Sequence, residues 1–273
     1  MLWKRVATAA VLIPLLVFSI LRSKGQPFGW PFLLVVGTST AVCAFEMFRM
    51  FLRGTRDLLG GTALAVLVFL AGAALPAAVA LPAVLFCVVL AVLHALPGTE
   101  DVGEKARKAA TLALGAVYVG GMLSMYPRTL TLHRGEHWVM LGIIAVAAGD
   151  TLAYFAGRML GRRKLAPALS PNKTVEGAVG GLAGSVACAL LYAFLFLPGT
   201  PLGYAAFSGV VIGIFGQGGD LFESLLKRAA GVKDSGTLFP GHGGVFDRAD
   251  GLLAAGPVVF LLAAMAPLAG GGA

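Results

Sequence analysis

Asp150, Asp220, Asp247 and Asp250 lie in or beside long apolar runs, and Lys173, Lys227, Arg228, Lys233 and Arg248 crowd the same part of the sequence. In a chain only 12% charged and 58% hydrophobic, that concentration calls for a chemical reason. Oxygen-rich acid clusters suit a hard cation such as Mg²⁺, which commonly takes one or two carboxylates plus phosphate oxygens and water. Lysines and arginines offset phosphate charge, and glycine backbone allows close approach. Carboxylates, cations and glycines together are the ingredients for holding a polyphosphate with a metal.

Helical spacing sorts these residues. In DLFESLLK, Ser224 and Lys227 follow Asp220 at i+4 and i+7 and share its face. Tyr154 and Arg158 follow Asp150 in the same way, and Asp247 and Asp250 stand three apart. Gly161–Gly177, GRRKLAPALSPNKTVEG, brings Arg162, Arg163, Lys164 and Lys173. The ordinary alternative is a basic loop whose acids are paired to bases. It accounts poorly for the way HGG and FDRAD interrupt the basic run, and for aspartates deep in apolar segments.

The elements that must position these groups are membrane helices. Mean hydropathy is +0.87, and runs such as VATAAVLIPLLVFSIL approach the ~20 apolar residues that cross a bilayer. The pattern predicts an all-α polytopic membrane protein with about nine spans, near 6–21, 31–50, 59–75, 80–96, 109–126, 138–157, 175–197, 203–223 and 251–269. The first reads as a retained anchor, since no small-residue cleavage motif precedes a polar domain. Pro76 and Pro82 suggest a tight turn, with a re-entrant hairpin over 59–96 as the alternative. With the N-terminus in the cytosol, all but Arg22, Lys24, Arg128 and Arg134 of the 21 Lys and Arg fall on the inner side. The candidate chemistry then faces the cytosol from the cell membrane.

The organisation predicted is one membrane domain over 1–273, with N-terminal spans in 1–140 and chemistry in 141–273. Glu46 is the one clearly acidic residue within an apolar stretch of the first half; it reads either as a functional intramembrane carboxylate or, the favoured alternative, as a partner of Arg49 three residues on. Gly177/Gly181 and Gly180/Gly184 read as close helix packing. Cys43, Cys87 and Cys188 each sit alone in apolar runs and read as buried hydrophobes, not as a zinc or disulfide framework. No GxxxxGK[ST] loop is present. Asn172–Thr174 forms a glycosylation sequon, discounted because its loop is placed in the cytosol. The net charge of +8 fits loops facing anionic headgroups and does not point to nucleic acid.

The run from Ser224 to Asp250 resembles the signature of the phosphatidate cytidylyltransferases (CDP-diacylglycerol synthases): Ser224, Lys227–Arg228, Lys233–Asp234, Gly236, Phe239–Pro240, His242–Gly243–Gly244–Val245 and Asp247–Arg248–Ala249–Asp250. Gly149–Asp150–Thr151, Ala153–Phe155, Gly157–Arg158 and Ser170–Gly177 are similar to elements preceding it. The match covers about 149–251; family members more often carry Lys at Asn172 and a larger apolar residue at Ala249. The resemblance implies an all-helical, commonly dimeric membrane enzyme that converts CTP and phosphatidate to CDP-diacylglycerol and pyrophosphate for phospholipid biosynthesis. It also implies Mg²⁺ paired with a second cation such as K⁺.

Within that resemblance, Asp220 and Asp247 are expected as metal ligands, with Asp150 and Asp250 as further ligands or supports. Lys173, Lys227, Arg228, Lys233 and Arg248 would hold phosphates. Ser170, Asn172, Thr174, Ser224, Gly243 and Gly244 complete the expected substrate contacts, and Asp234 would orient a neighbouring base. His242 is expected either to donate to a phosphate or to make a loop hydrogen bond. Two other classes compete. The CDP-alcohol phosphotransferases require DGxxAR followed by GxxxDxxxD, and neither occurs in full. An ion- or proton-coupled transporter would place acids at the bilayer midplane and show inverted repeats; here the acids gather toward one face and no repeat is detectable.

Overall fold

The computed structural model describes residues 14–23, 29–236 and 243–267. The chain is an all-α polytopic membrane protein, and among the described residues eight helices are long and apolar enough to cross a bilayer. Helix α1 covers Pro14–Ser23, followed by α2 (Trp30–Phe51), α3 (Thr55–Ala74), α4 (Ala77–Ala95) and α5 (Val102–Gly115). A π-helical turn, Ala116–Gly121, joins α5 to α6 (Met122–Thr129); α7 spans Gly135–Leu160. A small hairpin, β1 (Lys164–Ala166) and β2 (Ser170–Thr174), leads into α8 (Val175–Phe196), α9 (Leu202–Ala229) and α10 (Phe246–Met265). The predicted first span lies partly outside the described residues. Helices α3 and α4, of 20 and 19 residues, are each long enough to cross a bilayer, which favours two spans over the re-entrant alternative; they break at Leu75–Pro76, and Pro82 lies inside α4.

Several helices run well past the apolar windows. Helix α5 starts at Val102 because Asp101 caps it, its Oδ1 accepting the Glu104 N–H at 2.9 Å. Lys105, Arg107 and Lys108 are therefore helical rather than in a loop. Likewise α9 carries Lys227 and Arg228, and α10 starts early enough to carry Asp247, Arg248 and Asp250. Hydropathy reports the hydrocarbon-crossing part of a helix, while backbone hydrogen bonding continues into water.

The chain divides into two compact units, residues 1–131 with 229–249, and residues 132–228 with 250–273. In the first, Phe48 of α2 is fully buried where α3 and α5 each present a glycine: a Cβ on Gly61 would come within 2.8 Å of its ring, and one on Gly115 within 2.5 Å. Arg128 donates to the carbonyls of Gly72 (2.8 Å) and Leu75 (3.0 Å), satisfying groups left open where α3 ends. Asp57, His94, Lys108 and Glu100 link α3, α4 and α5, with Lys108 Nζ 2.9 Å from Asp57 and 2.6 Å from Glu100. The Lys108 hydrogen bond holds the Glu100 carboxyl below the usual carboxylate range. That contribution is present at neutral pH and fades as pH falls through the lowered range.

In the second unit, α7 and α8 pack closely through glycine. Cβ atoms on Gly181 and Gly177 would stand 2.8 Å from the Gly149 carbonyl oxygen and 2.9 Å from that of Ala153. The GxxxG spacing thus serves packing within one chain. Trp138, Leu141, Ala145, Ala189, Ile212 and Val259 form the surrounding core. Gly181→Val should lower stability in detergent by about 1–3 kcal/mol, through backbone that cannot yield. Gly203→Ala, with nothing within 4 Å, should stay within about 0.5 kcal/mol of the parent. Thermal melting followed by fluorescence-detected size exclusion measures both.

Candidate metal and phosphate site

Asp220 and Glu223 stand one turn apart on α9, and Asp250 lies near the start of α10; one carboxylate oxygen from each falls within 4.8 Å of the others. Gly219 makes the approach possible, because a Cβ there would collide with the Asp250 carbonyl oxygen and lie 2.9 Å from Ala254. Two lysines face the triplet. Lys173 Nζ is 2.5 Å from Asp220 Oδ2, and Lys227 Nζ is 2.6 Å from Glu223 Oε2 across one helical turn. Glu223 is only 1% exposed, whereas Asp220 and Lys173 keep about a quarter to a third of their side-chain surface. Three hard oxygen donors at this separation can hold a cation, and the ammonium groups offset their charge without one.

The hairpin delivers Lys173. Its strands pair antiparallel, Lys164 opposite Thr174 and Ala166 opposite Ser170. Thr174 caps α8 by accepting the Gly177 N–H at 3.1 Å. Glu176 reaches back so that its Oε2 accepts the N–H groups of Arg162 (2.9 Å) and Arg163 (3.1 Å). Arg228 Nε donates to the Leu169 carbonyl at 3.3 Å. Ser170 and Ser224 are half-buried, and Asn172 is exposed. Asp150 sits on an exposed stretch of α7 and is not one of the three clustered acids. Arg158 donates to Tyr154 Oη at 2.9 Å, one turn back on the face expected for both.

A second arrangement belongs to the first unit. Asp247 is 8% exposed, and its Oδ2 accepts from Ser235 Oγ (2.8 Å), Ser235 N (3.0 Å) and Gly244 N (2.8 Å). Gly243 has φ +80°, and a Cβ there would press on that oxygen. Glu46, 6% exposed, reaches the same stretch: its Oε2 accepts the Phe246 N–H at 2.9 Å and lies 3.4 Å from Ser235 Oγ. The expected pairing of Glu46 with Arg49 gives way to these contacts, because Arg49 points to the exposed side of α2. Lys233, Asp234 and Arg248 are exposed. His242, with Gly241 and Phe239–Pro240, lies outside the described residues.

Glu223 and Ser235 were not among the sequence candidates, and Glu46 was weighed there only against Arg49. Glu223 had a legible signal, since D-x-x-E puts two carboxylates on one helical face. Ser235 had no local signal, and for Glu46 the sequence showed the buried acid but not its partners, which are remote in the chain.

The chain matches the cytidylyltransferase family over residues 3–266. It is 37% identical over 155 residues to a Bacillus subtilis protein named phosphatidate cytidylyltransferase, covering 56% of this chain and 58% of that protein. A Brucella abortus protein of the same name is 45% identical over 142 residues, covering 50% of this chain and 52% of its own. A third, from Staphylococcus saprophyticus, is 40% identical over 155 residues, with 56% and 58% covered. The chain thus spans about half the length of the curated relatives it matches. With a family match running from near its first residue to α10, the chain belongs to the cytidylyltransferase family.

Proposed function

We propose that this protein transfers the cytidylyl group of CTP to phosphatidate, forming CDP-diacylglycerol and releasing pyrophosphate. The observation that carries the reading is the triplet Asp220–Glu223–Asp250 with Lys173 and Lys227 bonded to it, on membrane helices of a cytidylyltransferase-family chain. The names of the relatives supply the lipid substrate.

The reaction needs no strong base. A phosphatidate phosphate oxygen, ionised near neutral pH, attacks the α-phosphorus of CTP; the bond to the β-phosphate oxygen breaks, and that oxygen leaves with its electron pair as pyrophosphate. The obstacle is bringing two anions together, so positioning and charge compensation dominate. Asp220 and Asp250, with Glu223, would hold Mg²⁺, which when bound supplies charge neutralisation to the triphosphate. Lys173 and Lys227 already lie against those acids and would turn their ammonium groups to phosphate oxygens. Arg228 would extend that cationic surface, and Lys233 stays in the proposal as a phosphate contact. Asp247 stays in the proposal as an acid required for turnover, acting at least through its hold on Ser235 and Gly244. The positive-inside bias supports a cytosol-facing site; homodimer formation and a second cation beside Mg²⁺ rest on the resemblance alone.

Purified protein in mixed micelles should convert labelled CTP and phosphatidate to CDP-diacylglycerol with Mg²⁺ and stop in EDTA. Vesicle ion flux without that product would overturn the reading in favour of transport. Asp220→Asn and Asp250→Asn should each lower turnover roughly 100-fold while the melting temperature stays near the parent's. Lys173→Met should raise KM for CTP by about 10-fold, the scale of one charge-assisted hydrogen bond, and initial rates across a CTP series read this directly.

A further inference from the structure

Glu46 belongs to a helix that carries none of the expected site residues, yet its carboxylate touches both ends of the segment from Ser235 to Phe246. Its Oε2 accepts the Phe246 N–H at 2.9 Å, at the first residue of α10, and lies 3.4 Å from Ser235 Oγ. Two glycines flank it. A Cβ on Gly236 would stand 2.5 Å from Glu46 Oε1, and a Cβ on Gly244 would collide with Oε2. Neither glycine has the positive φ that would by itself demand glycine, so the room they leave is for the Glu46 carboxylate. Asp247 Oδ2 holds two of the same residues, Ser235 and Gly244, from the opposite side of the sequence signature. The Phe246 ring is fully buried and edge-on to Tyr118 of the π-helical turn, with centroids 6.3 Å apart.

A carboxylate buried in a membrane helix is costly unless it is bonded. Here it is spent on backbone and hydroxyl groups of a segment nearly 200 residues away in the chain. We infer that Glu46 is a positioning residue: it pins Ser235 and Phe246, and through them fixes the orientation of Asp247 at the start of α10. The inference deepens the proposed function, since the acid it orients is one required there for turnover. Glu46 itself touches no substrate.

The test has one arm that needs no reaction. In ligand-free protein, tryptic cleavage after Lys233, identified by mass spectrometry, should be faster in Glu46→Ala than in the parent, with Glu46→Gln in between because its amide oxygen still accepts the Phe246 N–H. Gly244→Ala should speed the same cleavage, and the Glu46→Ala/Gly244→Ala double variant should be no worse than Glu46→Ala alone, because the collision disappears with the carboxylate. In the kinetic arm, Glu46→Ala should lower kcat about 10- to 100-fold with little change in KM for CTP, and Glu46→Gln should recover part of the loss. A purely structural loss would lower the amount of folded enzyme without that graded recovery in kcat per folded molecule. Unchanged Lys233 protection, or Glu46 and Gly244 effects that simply add, would overturn the inference. If Glu46→Ala does not fold, Glu46→Gln and Gly244→Ala carry the same comparison. If the parent makes no CDP-diacylglycerol while Lys233 exposure behaves as stated, the reaction is wrong and the anchoring stands.

Discussion

The structure depends on how it compensates carboxylates in a setting of low polarity. Four acids are met by short, specific contacts: Asp220 by Lys173, Glu223 by Lys227, Asp247 by Ser235 and Gly244, Glu46 by Phe246. An unmet charge at these depths would cost several kcal/mol, so these contacts constrain the backbone around them. They also differ in kind. The α9 acids are met by mobile ammonium groups, which can be exchanged for another cation. Asp247 and Glu46 are met by backbone N–H groups, which cannot leave. The first set suits a site that loads and unloads charge, the second a fixed scaffold.

Glycine is what lets these contacts form between main chains and not only between long side chains. Gly219 admits the Asp250 carbonyl, Gly181 admits that of Gly149, and Gly236 and Gly244 admit the Glu46 carboxylate. Their roles differ even though the residue is the same: helix approach in the first two, room for an acid in the last two. The open surroundings of Gly203 and Gly218 show that a glycine count alone would not have separated them.

Much of the fold was legible in hydropathy, because crossing helices must satisfy their backbones internally and so appear as long apolar runs. What hydropathy missed were the wet ends: the capped start of α5 at Asp101, the reach of α9 to Ala229, and the hairpin at Lys164–Thr174. These are set by capping and local hydrogen bonds, not by apolarity. For the site, Asp220 and Asp250 were legible as acids beside apolar runs, and the structure brings them together. Glu223 is readable from its D-x-x-E spacing with Asp220, although only Ser224 and Lys227 were drawn from that stretch. Glu46 was read against Arg49 because a local partner was in view, whereas its actual partners are remote in sequence and invisible to spacing.

The hairpin is closed by Glu176 onto Arg162 and Arg163, fastened to α9 through Arg228 and Lys173, and continuous with α8 through the Thr174 cap. Its tip, Pro167 and Ala168, is exposed, as are Lys164, Pro171 and Asn172 along the strands. A loop tethered at so many points has little freedom left to lose when an anion arrives, so its cations are presented at low entropic cost. Insertions are tolerable at the tip, whereas changing the spacing between Ser170 and Glu176 would carry Lys173 away from Asp220.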